Sequence, residues 1–236
     1  MTGAPAPPIA WQSEHVVAAD KPSGMLTIPG RLGVRDPRPC LVHAVARVVP
    51  GKIWIVHRLD LEASGLVLFA RTAEAHRVLC VAFEHHAVRK TYDAWTEGTP
   101  PEPVDRPLVW ESSLLRGKRR AFETPLGKWS RTVAHYAGRV TWRGHRLVGW
   151  SLHPETGRPH QLRCQAASRG WPIAGDALYG SRVDFGPERI ALRAVALDLS
   201  GIAPDDRARL GLPSLLEVHG LGSDPTPPCL ARPSGV

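Results

Sequence analysis

Two periods of apolar residues run through the 236-residue chain. Period-two alternation or a short continuous apolar run marks a strand, and an i, i+3, i+4 spacing marks a helix. HVVAADKP (15–22) reads as a short apolar strand ending in a Lys-Pro turn, and PSGMLTIPG (22–30) as a loop punctuated by Gly and Pro. CLVHAVARVV (40–49) carries a helical period and stops at Pro50-Gly51. IWIV (53–56) is a short β-rich run and GLVLFAR (65–71) a buried strand. Thr72 is placed as the N-cap of an amphipathic helix, TAEAHRVLCVAFEHH (72–86), and RKTYDAWTEG (89–98) alternates like a strand.

Residues 99–130 are Pro-rich, basic and irregular, with GKRR at 117–120. SRTVAHYAGRVTW (130–142) and HRLVGWSLHP (145–154) form a hairpin across Arg143-Gly144. RPHQLRCQAASRG (158–170) reads as a helix closed by Gly170, and WPIAGDALYG (171–180) as a loop. ERIALRAVALDLS (188–200) reads as a strand with a clear alternation. Residues 1–14 are expected to be a flexible segment, 15–223 one domain, and 224–236 a flexible Pro-rich tail. Strands outnumber helices and pair as neighbours. The expected fold class is α+β, a single mixed domain around a mainly antiparallel curved sheet with flanking helices.

Composition narrows the function classes. Apolar residues make up 43% and charged residues 22%, ordinary for a globular protein. No apolar run is long enough for a transmembrane helix, and the N-terminus lacks the basic and apolar regions of a signal peptide. Cys40, Cys80, Cys164 and Cys229 are scattered without a CxxC, against a zinc ribbon or a disulfide framework, so a reduced cytoplasmic protein is expected. Thirty basic against 22 acidic residues give a net charge of +8, which points to an anionic partner, nucleic acid first. Neither GxGxxG nor GxxxxGK[ST] is present, nor a GxSxG elbow, nor HExxH, so neither a cofactor nor a metal is expected.

Three segments carry candidate chemistry. HRLDLEASG (57–65) sets His57, Arg58 and Asp60 between two apolar strands, where a partly buried carboxylate needs a partner. Taken alone, Asp60 also fits a turn or cap aspartate. In HPETGRPHQLRCQ (153–165), Thr156-Gly157-Arg158 is a turn that starts a helix. Helix spacing then puts His160 and Arg163 three apart, with Arg158 beside a helix N-terminus suited to phosphate. A surface helix with solvated arginines fits the same residues. Tyr92 is either an ordinary sheet tyrosine or a ring that stacks on a base.

Together these segments resemble the RluA-type pseudouridine synthases, which isomerise uridine in structured RNA. DKPSGMLTIPG (20–30) is similar to the family's opening K-P-x-G loop, HRLDLEASG to H-R-L-D-x-x-T-S-G, and RKTYDAWTEG to its K-x-Y strand. ETGRPHQLRCQAASRGWPIAGDALYG (155–180) is similar to T-G-R-T-H-Q-I-R-V-H-x-A…G-x-P-I-x-G-D-x-x-Y-G, and IALRAVAL (190–197) to the closing L-H-A-x-x-L strand. Five motifs fall in the family's order over roughly 15–200. Ala63, Pro159, Cys164-Gln165 and Arg193 depart from the pattern, and Gln165 and Arg193 are expected to alter RNA contacts. Pro159 fits the first turn of a helix.

The resemblance implies an RNA-binding cleft, no cofactor, no metal, no membrane and no required protein partner. It also implies a monomer acting on tRNA or rRNA, without an S4-like RNA-binding domain. Asp60 would be the catalytic carboxylate, acting as a nucleophile or as a base at the sugar C2′. Arg163 would pair with Asp60 and lower its pKa. Tyr92 would stack on the target base and assist C5 proton transfer, with Leu192 packed beside the ring. Arg58 would fill the space left by the flipped uridine. His57, Lys21, Lys90, Arg158 and His160 would contact RNA, and Lys118, Arg119 and Arg120 its phosphates. The alternative is a non-catalytic RNA-binding or RNA-chaperone protein on the same scaffold, with a metal-dependent nuclease a distant third.

Overall fold

The computed structural model describes residues 6–30, 32–100 and 106–218; the expected tail, 224–236, and residues 1–5 lie outside the described residues. In chain order the elements are β1 (Ile9–Gln12), β2 (Val16–Lys21), α1 (Leu41–Val48), β3 (Trp54–Ile55), β4 (Ser64–Ala70), α2 (Ala73–Glu84) and β5 (Arg89–Thr96). There follow β6 (Leu108–Arg116), β7 (Ala121–Glu123), β8 (Lys128–Trp142), β9 (His145–Pro154), α3 (Gln161–Ser168), β10 (Leu192–Asp198), α4 (Pro204–Arg209) and β11 (Leu215–Glu217). Single 3-10 turns lie at Gly33–Arg35 and Ala177–Tyr179. The class is α+β. Within the span expected for one domain, the described residues gather into two compact units: the chain up to Arg89 with Ala194–Val218, and Lys90–Arg193.

In unit 1 the strands run in the order β1-β2-β4-β10, with β3 on β4 and β11 on β10. β2 pairs antiparallel with β4 from Val16–Ala70 to Lys21–Gly65. β4 is buried from Gly65 onward, so it reads as a continuous apolar run rather than an alternation. Thr72 caps α2, its hydroxyl accepting from the Ala75 amide at 3.2 Å. Ala75, Leu79 and Ala82 then fall on one face and pack in a core with Val16, Ala18, Leu66 and Leu68.

In unit 2 the order is β5-β9-β8-β6-β7. The β8–β9 hairpin turns as expected, with Arg143 and Gly144 both at positive φ, 49° and 82°, the geometry that matches the twist of an antiparallel pair. α3 covers one face of this sheet: Gln165 and Gln161 bond Thr132, while Leu114 and Ala121 cluster with Cys164.

Several elements differ from the sequence reading. Residues 9–12 of the expected flexible segment form β1, paired with β2. Ser13 follows, and its hydroxyl donates to the Leu210 carbonyl at 2.9 Å. The segment expected to be irregular, 99–130, contains β6, β7 and the start of β8, with GKRR as the β6–β7 turn. Its period is masked because Trp110 and Leu114 point inward while Val109 and Leu115 are exposed. β10 is buried on both faces from Leu192 to Leu197, Arg193 included, so the expected alternation is absent. α3 begins only at Gln161: Pro159 precedes it, and His160 is its N-cap at φ 53°. The His160–Arg163 helical spacing therefore does not hold.

Gly65 closes the HRLDLEASG segment at φ 112°, and a Cβ there would lie 2.1 Å from the Ala194 carbonyl oxygen. Backbone cannot yield as a flexible side chain can. Gly65→Ala is expected to cost at least about 2 kcal/mol, seen as an earlier midpoint in urea unfolding.

Candidate functional site

The candidate residues divide between the units. Unit 1 carries Lys21, His57, Arg58 and Asp60; unit 2 carries Lys90, Tyr92, Arg158, His160, Arg163 and Leu192.

Asp60 lies half-buried on the loop between β3 and β4, and backbone latches hold the residues on either side of it. On one side, the Thr27 hydroxyl donates to the Leu59 carbonyl (3.0 Å) and accepts from the Leu59 amide (3.1 Å). On the other, the Leu61 carbonyl accepts from the Lys21 ammonium (3.1 Å) and from the Gly24 amide (2.9 Å). The same ammonium donates to the Pro22 and Met25 carbonyls at 3.0 and 2.8 Å. The loop at 22–27 thus acts as a splint for the carboxylate. Thr27 was not picked out from sequence; its signal is its place in the loop after the Lys-Pro turn.

Lys21 is wholly buried, which corrects its expected role as an RNA contact: its three protons go to carbonyls inside the fold. Burial pulls its pKa down to about 7, against the opposing pull of the negative Asp60 and Glu62. His57 is also braced. Its Nε2 accepts from the Leu68 amide at 2.9 Å, which places the ring proton on Nδ1, and the ring stacks on Phe83 at 4.4 Å. Arg58, next to it, is exposed.

In unit 2, Tyr92 sits half-buried on β5, in register with Leu152 of β9, which is in register with Ala134 of β8. Lys90 is half-buried on the same strand beside the 155–158 turn, 3.7 Å from where a Gly157 Cβ would stand. Burial lowers its pKa. Leu192 is buried at the start of β10.

α3 is not a surface helix with solvated arginines: every residue from Gln161 to Ala166 is buried. Arg163, 2% exposed, makes a two-pronged ion pair with Asp176, Nε to Oδ2 at 2.6 Å and Nη2 to Oδ1 at 2.9 Å. Its guanidinium also lies 5.3 Å over the Tyr179 ring. Burial pushes the Tyr179 phenol up to about 12. That hydroxyl accepts from the Ala121 amide at 2.7 Å and bonds His160 Nδ1 at 3.1 Å, so His160 is tied inward. Arg158 donates from Nε to the Trp129 carbonyl at 3.1 Å.

Gln161 and Gln165 complete this scaffold. Gln161 accepts from the Thr156 hydroxyl and the Arg158 amide and donates to the Arg131 carbonyl and Thr132. Gln165 accepts from Thr132 and donates to the Trp110 carbonyl, Ser112 and Ser130. Gln165 is fully buried, so any effect of this departure on RNA contacts runs through the scaffold rather than through the side chain itself. Asp176, Gln161 and Thr156 carry no role in the sequence reading, although all three lie inside its motifs. Among the described residues no group of three or more His, Cys, Asp or Glu is placed to hold a metal ion, and no helix is long and apolar enough to cross a membrane.

Comparison with known proteins gives one answer. The RNA pseudouridylate synthase family matches residues 15–168. An uncharacterized RNA pseudouridine synthase of Zymomonas mobilis is 39% identical over 188 residues, covering 77% of this chain and 82% of the relative. The dual-specificity RNA pseudouridine synthase RluA of Escherichia coli K12 is 36% identical over 179 residues, 73% of this chain and 77% of the relative. Among solved structures, human RNA pseudouridylate synthase domain containing 1 superposes with a TM-score of 0.69 at 22% identity, covering 84% of this chain and 80% of that one. The human domain containing 4 protein gives 0.62 at 20% identity, covering 80% and 82%.

Asp176→Ala removes the two-pronged carboxylate partner of a buried guanidinium and is expected to cost about 3–5 kcal/mol in chemical unfolding. Lys21 sets a pH dependence. Its folded pKa, about 7, lies below its ordinary value of 10.5, so between these pH values the unfolded chain holds the extra proton. The Lys21 contribution to stability therefore rises with pH across that window, by at most roughly 1.4 kcal/mol per pH unit. Comparing unfolding of the wild type and Lys21→Met from pH 6.5 to 9 checks this: the gap should widen upward.

Proposed function

We propose that this chain, which belongs to the RNA pseudouridylate synthase family, acts through Asp60, Tyr92 and Arg163 on a uridine flipped out of structured RNA. It is an RNA pseudouridine synthase, an isomerase that converts uridine in RNA to pseudouridine. The reaction breaks the C1′–N1 glycosidic bond, turns the base and joins C5 to C1′. The C5 proton leaves and N1 gains one, so the product is an isomer and no oxidant or energy source is consumed.

The observation that carries the assignment to Asp60 is the pair of backbone latches on Leu59 and Leu61. A carboxylate acting at one sugar carbon must be held to a fraction of an ångström, and a clamped backbone does that before RNA arrives. Asp60 acts at the sugar, as a nucleophile or as the base at C2′. Tyr92 stacks on the detached base and assists removal of the C5 proton. Arg163, held by its two-pronged ion pair with Asp176, is the cation of the catalytic set. Arg58, exposed two residues before Asp60, takes the place of the flipped base. Leu192 packs against the Tyr92 ring, while Lys90, Arg158 and His160 line the approach of the RNA.

The substrate is tRNA, rRNA or both, modified in the cytoplasm by a monomer. A relative named as dual-specificity at 36% identity supports more than one RNA.

Tritium release from C5-labelled bulk RNA, taken from a strain lacking this protein, tests the reading. Wild type is expected to release tritium, and Asp60→Ala to fall by at least ~10²-fold. Tyr92→Phe should keep RNA affinity and slow release, whereas Tyr92→Ala should lose both. Undiminished release by Asp60→Ala would remove Asp60 from the mechanism. Wild-type binding without release would favour a non-catalytic RNA-binding protein.

A further inference from the structure

Unit 2 has a second sheet face, away from α3. Neighbouring residues along a strand point to opposite faces, and residues in register across strands share one. Trp110, Leu114, Ala121, Ser130 and Thr132 are buried on the α3 side. The opposite face therefore carries Leu115 in register with Phe122, and Trp129 in register with Ser113. These apolar side chains stand in solvent: Leu115 is 41% exposed, Phe122 44% and Trp129 51%.

At the β6–β7 turn, next to Leu115 and Phe122 in sequence, stand Lys118, Arg119 and Arg120, all exposed. None of these three forms an ion pair with a described residue. Of the acids nearby, Glu111 shares the outer face but is paired with its register partner Arg131, and Glu123 lies on the α3 side, paired with Arg169. Charge alone would serve to keep the short edge strand β7 from pairing with another chain. An exposed aromatic ring on that strand, Phe122, works against that purpose, and Trp129 on β8 adds a second ring to the same face, so the patch has another use. Rings that offer π-faces among unpaired cations are the chemistry that takes unpaired nucleotides: bases stack on the rings and phosphates meet the cations.

We propose that the outer face of β6–β7–β8, with Phe122 and Trp129 as stacking platforms and Lys118, Arg119 and Arg120 of the β6–β7 turn as phosphate contacts, is a docking surface for single-stranded RNA. It engages an unpaired stretch of the substrate RNA away from the reacting uridine, and in that respect it rests on the proposed function. The surface reads no particular base, because every base has a π-face. Its effect is on the affinity for RNA, not on the chemical step.

The test uses the full chain and a fluorescently labelled twelve-nucleotide oligo(A), which contains no uridine. Phe122→Ala/Trp129→Ala is expected to weaken binding at least tenfold, with an unchanged circular-dichroism melt. Lys118→Ala/Arg119→Ala/Arg120→Ala should flatten the salt dependence of binding by roughly 0.7 log units per cation removed. At saturating bulk RNA the aromatic double variant should keep the wild-type kcat for tritium release while KM rises. A folded double variant that binds oligo(A) like wild type, with the salt slope of the triple variant also unchanged, overturns the proposal and leaves the face to a protein partner. Tritium release by the wild type in that case leaves the isomerase reading standing. Oligo(A) binding that depends on the two rings, in a wild type that releases no tritium, supports the surface and sinks the reaction.

Discussion

A short helix with polar residues buried against a sheet is stable only if each of those polar groups finds a partner, and unit 2 is organised by that requirement. α3 has Gln161, Arg163 and Gln165 inward, and each is matched by several hydrogen bonds. An unmatched group there would cost on the order of 1–3 kcal/mol, more for a charge. The partners are distributed. Gln165 reaches β6 and β8, Gln161 reaches β8 and the 155–158 turn, and Arg163 reaches Asp176 in the loop after the helix. Each element of unit 2 that bears a candidate residue from Arg158 to Arg163 is registered to the others through this network. Such a network restricts the fold to one arrangement, because any slip leaves several groups unsatisfied at once.

Unit 1 solves a similar problem by a different route. Asp60 sits on a loop, the kind of element most free to move. Thr27 and Lys21 remove that freedom through the backbone of its neighbours. A wholly buried ammonium is costly, and three carbonyl acceptors with two nearby carboxylates are what hold it there.

Elements whose signal was local were legible in the sequence. Thr72 caps α2 where the Thr-Ala-Glu start placed it, Arg143-Gly144 turns the hairpin, and the run at 64–70 is the buried strand β4. The motifs also contain Asp60 and Arg163. What escaped was decided by tertiary surroundings. Lys21 reads as a surface cation because lysine is rarely buried; nothing local shows that three carbonyls converge on it. β6 escaped because its inward positions include Ser112, bonded to Gln165, while its outward positions include Val109 and Leu115. The start of α3 escaped because Pro159 fits a first helical turn equally well, and only the left-handed backbone at His160 puts it outside. Asp176 lay in view within a motif, but its partner thirteen residues away could not be read from spacing.

The same distinction changes what the net charge of +8 means. Counted along the chain, all thirty basic residues argue for an anionic partner. In the fold, Lys21, Arg163 and Arg193 are buried, and Arg38, Arg89, Arg131, Arg169 and Arg209 each face a carboxylate. Those cations hold the protein together, and their field is largely cancelled at the surface. The excess that an anion can meet is therefore local. One concentration of it is the set of unpaired side chains Lys118, Arg119 and Arg120, projecting from the turn that leads into the exposed Phe122. Composition indicated the sign of the partner; the separation of buried and paired cations from unpaired ones indicates where on unit 2 it can bind.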